Sequence, residues 1–236
     1  LMSVFDRNKV KEVLKPIVDS TYKAQQEEKD IYKNTLDCFS AAIDASIRGI
    51  TLEEWIESEK QRQAQKTLQN KIGDFHQKML GTLEGVTDLG VGEVVDIICE
   101  DKKIVAEIKN KHNTTKGNHK KSIYDDLVSV LERHEGYTGY YVEILPKNGK
   151  SYDKPFSPSD NTTKTSREKS EHIRVIDGKS FYKIVTGDDN ALKELYSLIP
   201  ELTAEILKES FDIDRNANNI KDNQFFSELF EMIFPE

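Results

Sequence analysis

Residues 94–114 read VVDIICEDKKIVAEIKNKHNT, two apolar runs rich in β-branched residues that meet at Asp101 and Lys102. Such runs predict two paired strands. A two-residue turn at Asp101-Lys102 sets the register so that cross-strand partners have numbers summing to 203. Asp96 then stands opposite Glu107, and Val94 opposite Lys109. Side chains alternate along a strand, so Val95, Ile97, Cys99, Ile104, Ala106 and Ile108 make one wholly apolar face. The other face carries Asp96, Glu107 and Lys109 together with Val94, Ile98 and Val105. A face exposed along its whole length would not need those three apolar residues.

Two carboxylates opposite each other, at roughly 5 Å between Cβ atoms, repel and weaken the pair. A divalent cation between them removes the repulsion. Mg2+ suits the arrangement, since it takes hard oxygen ligands from few protein groups and completes its shell with water and phosphate. Such a metal polarises a phosphoryl oxygen and lowers the pKa of a bound water. Lys109, two residues from a ligand, is placed to orient that water or to stabilise charge growing on the phosphate. An ordinary charged hairpin fits the same spacing, because D-x(10)-E-x-K is a loose pattern. What favours the metal is the strip that follows: from Lys109 to Lys121 there are five lysines, two histidines and no acid.

The net charge of −8 over 236 residues argues against non-specific attraction to nucleic acid, but one concentrated basic strip can still hold a phosphate backbone. The chain is long enough to bury a substantial core without covalent staples. Its two cysteines, Cys38 and Cys99, lack paired metal-ligand spacing and fit a reducing compartment. No apolar run approaches a membrane span and the first residues lack a signal-peptide layout, so a cytoplasmic location and no membrane partner are expected. No Gly-rich phosphate loop or nucleophile elbow is present, which argues against a P-loop ATPase or a serine hydrolase.

The first eighty residues have helical spacing. Val10, Leu14, Ile17 and Val18 mark a helix within 8–34, LDCFSAAIDASI marks a second stopped by Gly49, and Thr51 with Glu54 forms a capping box for a third. After Gly81 strands take over. TGYYVEILP (138–146) reads as a buried strand, residues 146–171 as a long loop, and IRVI with SFYKIV as a hairpin turning through Asp177-Gly178. NALKELYSLI, LTAEILKES and FFSELFEMIF predict C-terminal helices. The fold class expected is α/β: a central mixed sheet flanked by helices, with additional N- and C-terminal helices. One domain is expected over 1–236, with a helical extension at 1–60, a core at 61–200 and C-terminal helices at 201–236.

Asp96 with Glu107-Ile108-Lys109 resembles the core motif of the PD-(D/E)XK nucleases, with Val95 in place of the usual Pro. QKTLQNKIGDFHQKMLG (65–81), VVDIICEDKKIVAEIKNKHNT (94–114) and IRVIDGKSFYKIVTG (173–187) together resemble type II restriction endonucleases of the group that cuts GGNCC-type sites. The resemblance implies a Mg2+-dependent, site-specific endonuclease that acts on palindromic double-stranded DNA as a homodimer, leaves 5′-phosphate ends, and has a cognate DNA methyltransferase as functional partner. It makes Asp96 and Glu107 metal ligands and Lys109 the catalytic lysine. Relatives often add an acid from the preceding helix; here that helix offers Gln69 and Asp74.

Lys111, His112, Asn113, Thr114 and Lys116 follow the catalytic strand directly and are candidates for contact with phosphates or base edges, although KNKHNTTKGN is also an ordinary polar loop. Lys164, Arg167 and Arg174 are further DNA candidates, with Glu168 and Glu171 beside them as the argument for a solvated face. His76 reads as packed or capping, Trp55 as core, and Tyr137, Tyr140 and Tyr141 as strand packing. Two alternatives stand against the restriction enzyme: a nuclease of repair or junction resolution with the same motif, and a non-catalytic DNA-binding module whose carboxylates form salt bridges only.

Overall fold

A computed structural model describes residues 3–27 and 36–236. Helix α1 (Arg7–Gln26) opens at Asp6, whose carboxylate accepts from the free amides of Asn8 and Lys9. Val10, Leu14, Ile17 and Val18 form its buried stripe, as their spacing predicts. The part of the expected first helix at 28–34 lies outside the described residues. Helix α2 (Cys38–Arg48) ends at Gly49, which takes a left-handed conformation with φ of 68°. Helix α3 (Leu52–Ile72) opens on the expected capping box: the Glu54 amide donates to the Thr51 hydroxyl, and the Thr51 amide donates to the Glu54 carboxylate. Helix α4 (Phe75–Leu80) follows directly.

The sheet has six strands in the order β1-β2-β3-β4-β8-β5. These are β1 (Val86–Asp88), β2 (Ile97–Cys99), β3 (Ile104–Lys111), β4 (Thr138–Leu145), β5 (Asp153–Pro155) and β8 (Ile173–Asp177). The first three run antiparallel to one another, β3, β4 and β8 are parallel, and β5 closes the far edge antiparallel to β8. Helix α5 (Gly117–Leu131) carries the chain from β3 to β4, the long crossover that a parallel pair needs. One face of the sheet packs on α1, α4, and the helices α6 (Gly178–Thr186) and α7 (Ala191–Phe211) through Ile97, Ile108, Val142, Phe181 and Leu195, among others. The other packs on α5 through Val105, Leu127, Tyr141 and Val175. Each such side chain, fully buried, stabilises the fold by roughly 1.5–3 kcal/mol. Helices α8 (Asn218–Lys221) and α9 (Gln224–Ile233) complete the chain. The expected α/β architecture, a mixed central sheet between helical layers, is present.

Several details differ from expectation. Gly178–Thr186 is helix and not the second arm of a hairpin. The Asp177 carboxylate accepts from the Ser180 amide as an N-cap, and Phe181, Tyr182 and Val185 then face the core at helical spacing. The C-terminal segments NALKELYSLI and LTAEILKES form the single helix α7, which runs through Pro200. The loop of 146–171 is structured: besides β5 it holds the two-stranded pair β6 (Ser159–Asp160) and β7 (Thr165–Ser166). Trp55 is half-buried and not core; its indole N–H donates to Asp44 across the α2–α3 cleft at 2.9 Å. No helix among the described residues is long and apolar enough to cross a membrane.

Candidate active site

The β2–β3 register matches the turn geometry: Ile97 pairs with Ala106, Ile98 with Val105 and Cys99 with Ile104, all summing to 203. The expected register fails one residue further on. The Asp96 amide donates to the Ala106 carbonyl at 3.0 Å, a slip by one, so Asp96 does not sit in the ladder opposite Glu107. This break has the form of a β-bulge. Its consequence is visible in the core, because Val95 packs on the α5 side with Val105 while Ile97 packs on the opposite side. The expected apolar face of Val95 and Ile97 is therefore split between two layers. The Asp96 carboxylate takes over the vacated ladder position and accepts from the Ile108 amide at 2.7 Å.

Glu107 and Lys109 project from the α5 face of β3, both half-buried, with the ammonium 3.3 Å from the Glu107 carboxylate. Burial raises the Glu107 carboxyl to about 7; the Asp96 charge adds to the rise and Lys109 opposes it. Burial also raises Asp96, while the Ile108 amide and Lys109 pull it back, and Asp74 and Asp88 push it further up. Two neighbouring carboxyl groups that burial pushes upward make a site lacking positive charge. Among the described residues no group of three or more His, Cys, Asp and Glu side chains is spaced to hold a metal ion. The donor set is thus two carboxylates with hard oxygens, which suits Mg2+ better than a thiolate- or imidazole-seeking metal.

The surroundings sort the remaining candidates. Asp74 precedes α4 and lies close enough to act on Asp96, whereas Gln69 is exposed on α3. Residues 109–121 run from the end of β3 through a turn closed by the Thr114 amide on the Lys111 carbonyl into the first turn of α5. Lys111, Asn113, Thr114 and Lys116 are exposed, and His112 is half-buried. The first turn of α5 contains no acid and no side-chain cap. Lysines there face the positive end of the helix, an arrangement that an anion relieves. Arg167 is held by Asp125 in a two-pronged pair (2.9 and 3.0 Å) and by Asp160, and Arg174 by Asp153 and Glu171. Both brace the β5–β7 region; Lys164 is exposed beside it.

Sequence reasoning missed three neighbours of the site. Gln77 of α4 donates to Asp88 of β1 at 2.9 Å, next to the Asp96 carbonyl, and neither had a sequence signal. Glu143, buried in β4 directly beside Lys109, did have one: it is the single charge inside GYYVEIL.

His76 is packed, as expected, with Nδ1 3.0 Å from the Tyr182 hydroxyl. Burial depresses its imidazolium pKa to about 3. Between an unfolded-state pKa near 6.5 and that value, the unfolded chain binds a proton that the folded chain refuses, so this residue costs stability as pH falls. We expect His76→Asn to recover about 1–2 kcal/mol of the stability lost between pH 7 and pH 5, measured as the difference in urea midpoints from the native chain. Glu107, raised to about 7, acts with the opposite sign over part of that window, so the variant difference and not the overall slope is the measure. Equal pH slopes for both chains would show that His76 titrates freely.

Residues 2–208 match the Eco47II restriction endonuclease family. The chain is 37% identical to the type II restriction enzyme Eco47II of Escherichia coli over 236 aligned residues, 98% of this chain and 97% of that enzyme. It is also 37% identical to the type II restriction enzyme Sau96I of Staphylococcus aureus over 172 residues, 72% of this chain and 66% of that one.

Proposed function

The chain belongs to the Eco47II restriction endonuclease family and is a type II site-specific deoxyribonuclease acting on double-stranded DNA; from that premise we propose that it hydrolyses phosphodiester bonds at a short palindromic GGNCC-like site, with Mg2+, leaving 5′-phosphate ends. The observation that carries the catalytic part is the meeting of Asp96, Glu107 and Lys109 beside the basic strip of 109–121.

Asp96 and Glu107 would hold the cation, with Asp74 near enough to add charge. When bound, Mg2+ supplies Lewis-acid stabilisation of a phosphoryl oxygen and a more acidic water. The protein's own contributions are positional. The Ile108 amide holds the Asp96 carboxylate on the strand, and β3 fixes Glu107 and Lys109 on one face. The Lys109 ammonium is placed to donate to the attacking water or to a non-bridging phosphate oxygen. Lys111, His112, Asn113, Thr114 and Lys116 follow from the same strand toward the phosphate backbone and base edges, with α5 presenting its positive end to the same anion. Lys164, Arg167 and Arg174 are proposed as secondary DNA contacts, the two arginines being held in ion pairs that also brace the β5–β7 region.

A palindromic site is cut by two symmetric active sites, so we propose a homodimer, protected in a prokaryotic cytoplasm by a cognate DNA methyltransferase. Digestion of unmethylated phage DNA with Mg2+ or with EDTA, followed by sequencing of the ends, tests the reading. The expected result is discrete fragments sharing one sequence at every end, in Mg2+ only. A smear would point to a structure-directed nuclease, and DNA left intact under both conditions to a binding module.

A further inference from the structure

Glu143 is 6% exposed, and one of its carboxylate oxygens, Oε2, takes no hydrogen bond. The other, Oε1, accepts from the Tyr152 hydroxyl at 2.8 Å. A buried charge with an unused oxygen is costly unless a cation or donor reaches it. The register of the parallel pair names the candidate. Lys109 is the ladder partner of Glu143, and Glu107 is the partner of Tyr141. Tyr141 and Val105 both belong to the α5-side core, so by alternation Glu107, Lys109, Tyr141 and Glu143 form a two-by-two patch on one sheet face. Lys109 thus has a carboxylate two residues before it on its own strand and another beside it on the next. The Tyr141 hydroxyl, beside both Thr115 and Glu143, is also buried without a hydrogen bond, as is the Thr115 hydroxyl, while the Lys109 ammonium pairs with Glu107 and leaves Oε2 open.

We infer that Glu143 is a positioning residue for Lys109: its free oxygen accepts one ammonium N–H and holds the side chain on the sheet, while Tyr152 anchors the carboxylate from the other side. A lysine tethered only to Glu107 loses its partner when that carboxylate turns to a cation or substrate. A second, cation-independent acceptor keeps the ammonium in place and leaves its other N–H groups for phosphate or water. The inference rests on reading Lys109 as an active-site residue.

The test is a thermal-melt cycle on metal-free protein, comparing Glu143→Gln, Lys109→Met and the double variant. With Lys109 present, Glu143→Gln is expected to lower the melting temperature by roughly 2–4 °C. With Lys109→Met, the same change is expected to raise it, because the buried carboxylate then has no cation to offset its burial. Equal shifts in the two backgrounds overturn the inference. In Mg2+ and phage DNA, Glu143→Gln is expected to slow cleavage at least about tenfold with unchanged DNA affinity; cleavage at the native rate also overturns it. Should Glu143→Gln fail to fold, Tyr152→Phe removes only the anchor, and slower cleavage with unchanged DNA affinity is expected, native cleavage being the contrary result. If Lys109→Met cuts at the native rate, the reading of Lys109 itself fails. If it is inactive and the melt cycle shows no coupling, only the role of Glu143 fails.

Discussion

Asp96→Asn is expected to reduce DNA cleavage on the order of 10²–10³-fold while leaving the fold and DNA affinity essentially intact. The carboxylate has two duties in the structure. It is a half-buried anion beside Glu107, and it fills the gap in the ladder by accepting from the Ile108 amide. Asparagine keeps the shape and one acceptor oxygen, so the bulge survives; only the charge is lost. Asp96→Ala removes both duties and leaves the Ile108 amide without its partner, at a cost of about 1–3 kcal/mol. Comparing the two variants separates chemistry from structure: cleavage of phage DNA should be lost in both, and the melting temperature should drop in Ala alone. Cleavage by Asp96→Asn at the native rate would remove Asp96 from the active site. A lowered melting temperature in Asn equal to that in Ala would mean that the carboxylate is there for the fold.

Gly178→Ala is the largest stability effect expected from a single added methyl. A Cβ at that position would lie 2.6 Å from the Ile144 carbonyl oxygen, 2.7 Å from its Cα and 3.0 Å from its carbonyl carbon. All three are backbone atoms of β4, a strand paired on both sides, so nothing there can swing aside as a side-chain tip would. Either α6 lifts from the sheet, uncovering Phe181 and Tyr182, or β4 bends beneath Glu143. Overpacking of this kind costs roughly 2–4 kcal/mol, where about 1–3 is usual. For a chain of this size the melting temperature should fall by about 5–12 °C. A melting temperature within about 2 °C of native would mean that α6 approaches β4 less closely than described.

That glycine was legible only as half of a turn. Asp177-Gly178 between IRVI and SFYKIV is a good hairpin signal, and Phe, Tyr, Ile and Val are residues that strands favour. Both readings use neighbours along the chain. The helix wins because burying Phe181, Tyr182 and Val185 against the sheet outweighs the local β preference of those residues, and Asp177 supplies the cap. The bulge was invisible for a similar reason. Nothing in VVDIIC distinguishes a regular strand from one that slips at Asp96; the slip places Val95 in one core and Ile97 in the other, which depends on what lies above and below the sheet.

What the sequence determined by itself is whatever short-range geometry dictates: the hairpin register, the caps at Thr51 and Gly49, the buried stripe of α1, the pairing of Glu107 with Lys109 on one face, and the basic strip that follows them. A two-residue turn or a helical period fixes these within about ten residues. Tertiary structure alone decided which distant groups stand beside that pair. It brought Asp74 toward Asp96 and left Gln69 in solvent, it turned Arg167 and Arg174 to bracing, and it set Glu143 next to Lys109. Those choices follow from the parallel register of β3 and β4 across the α5 crossover, and no local spacing encodes the alignment of strands whose ends are joined by a helix.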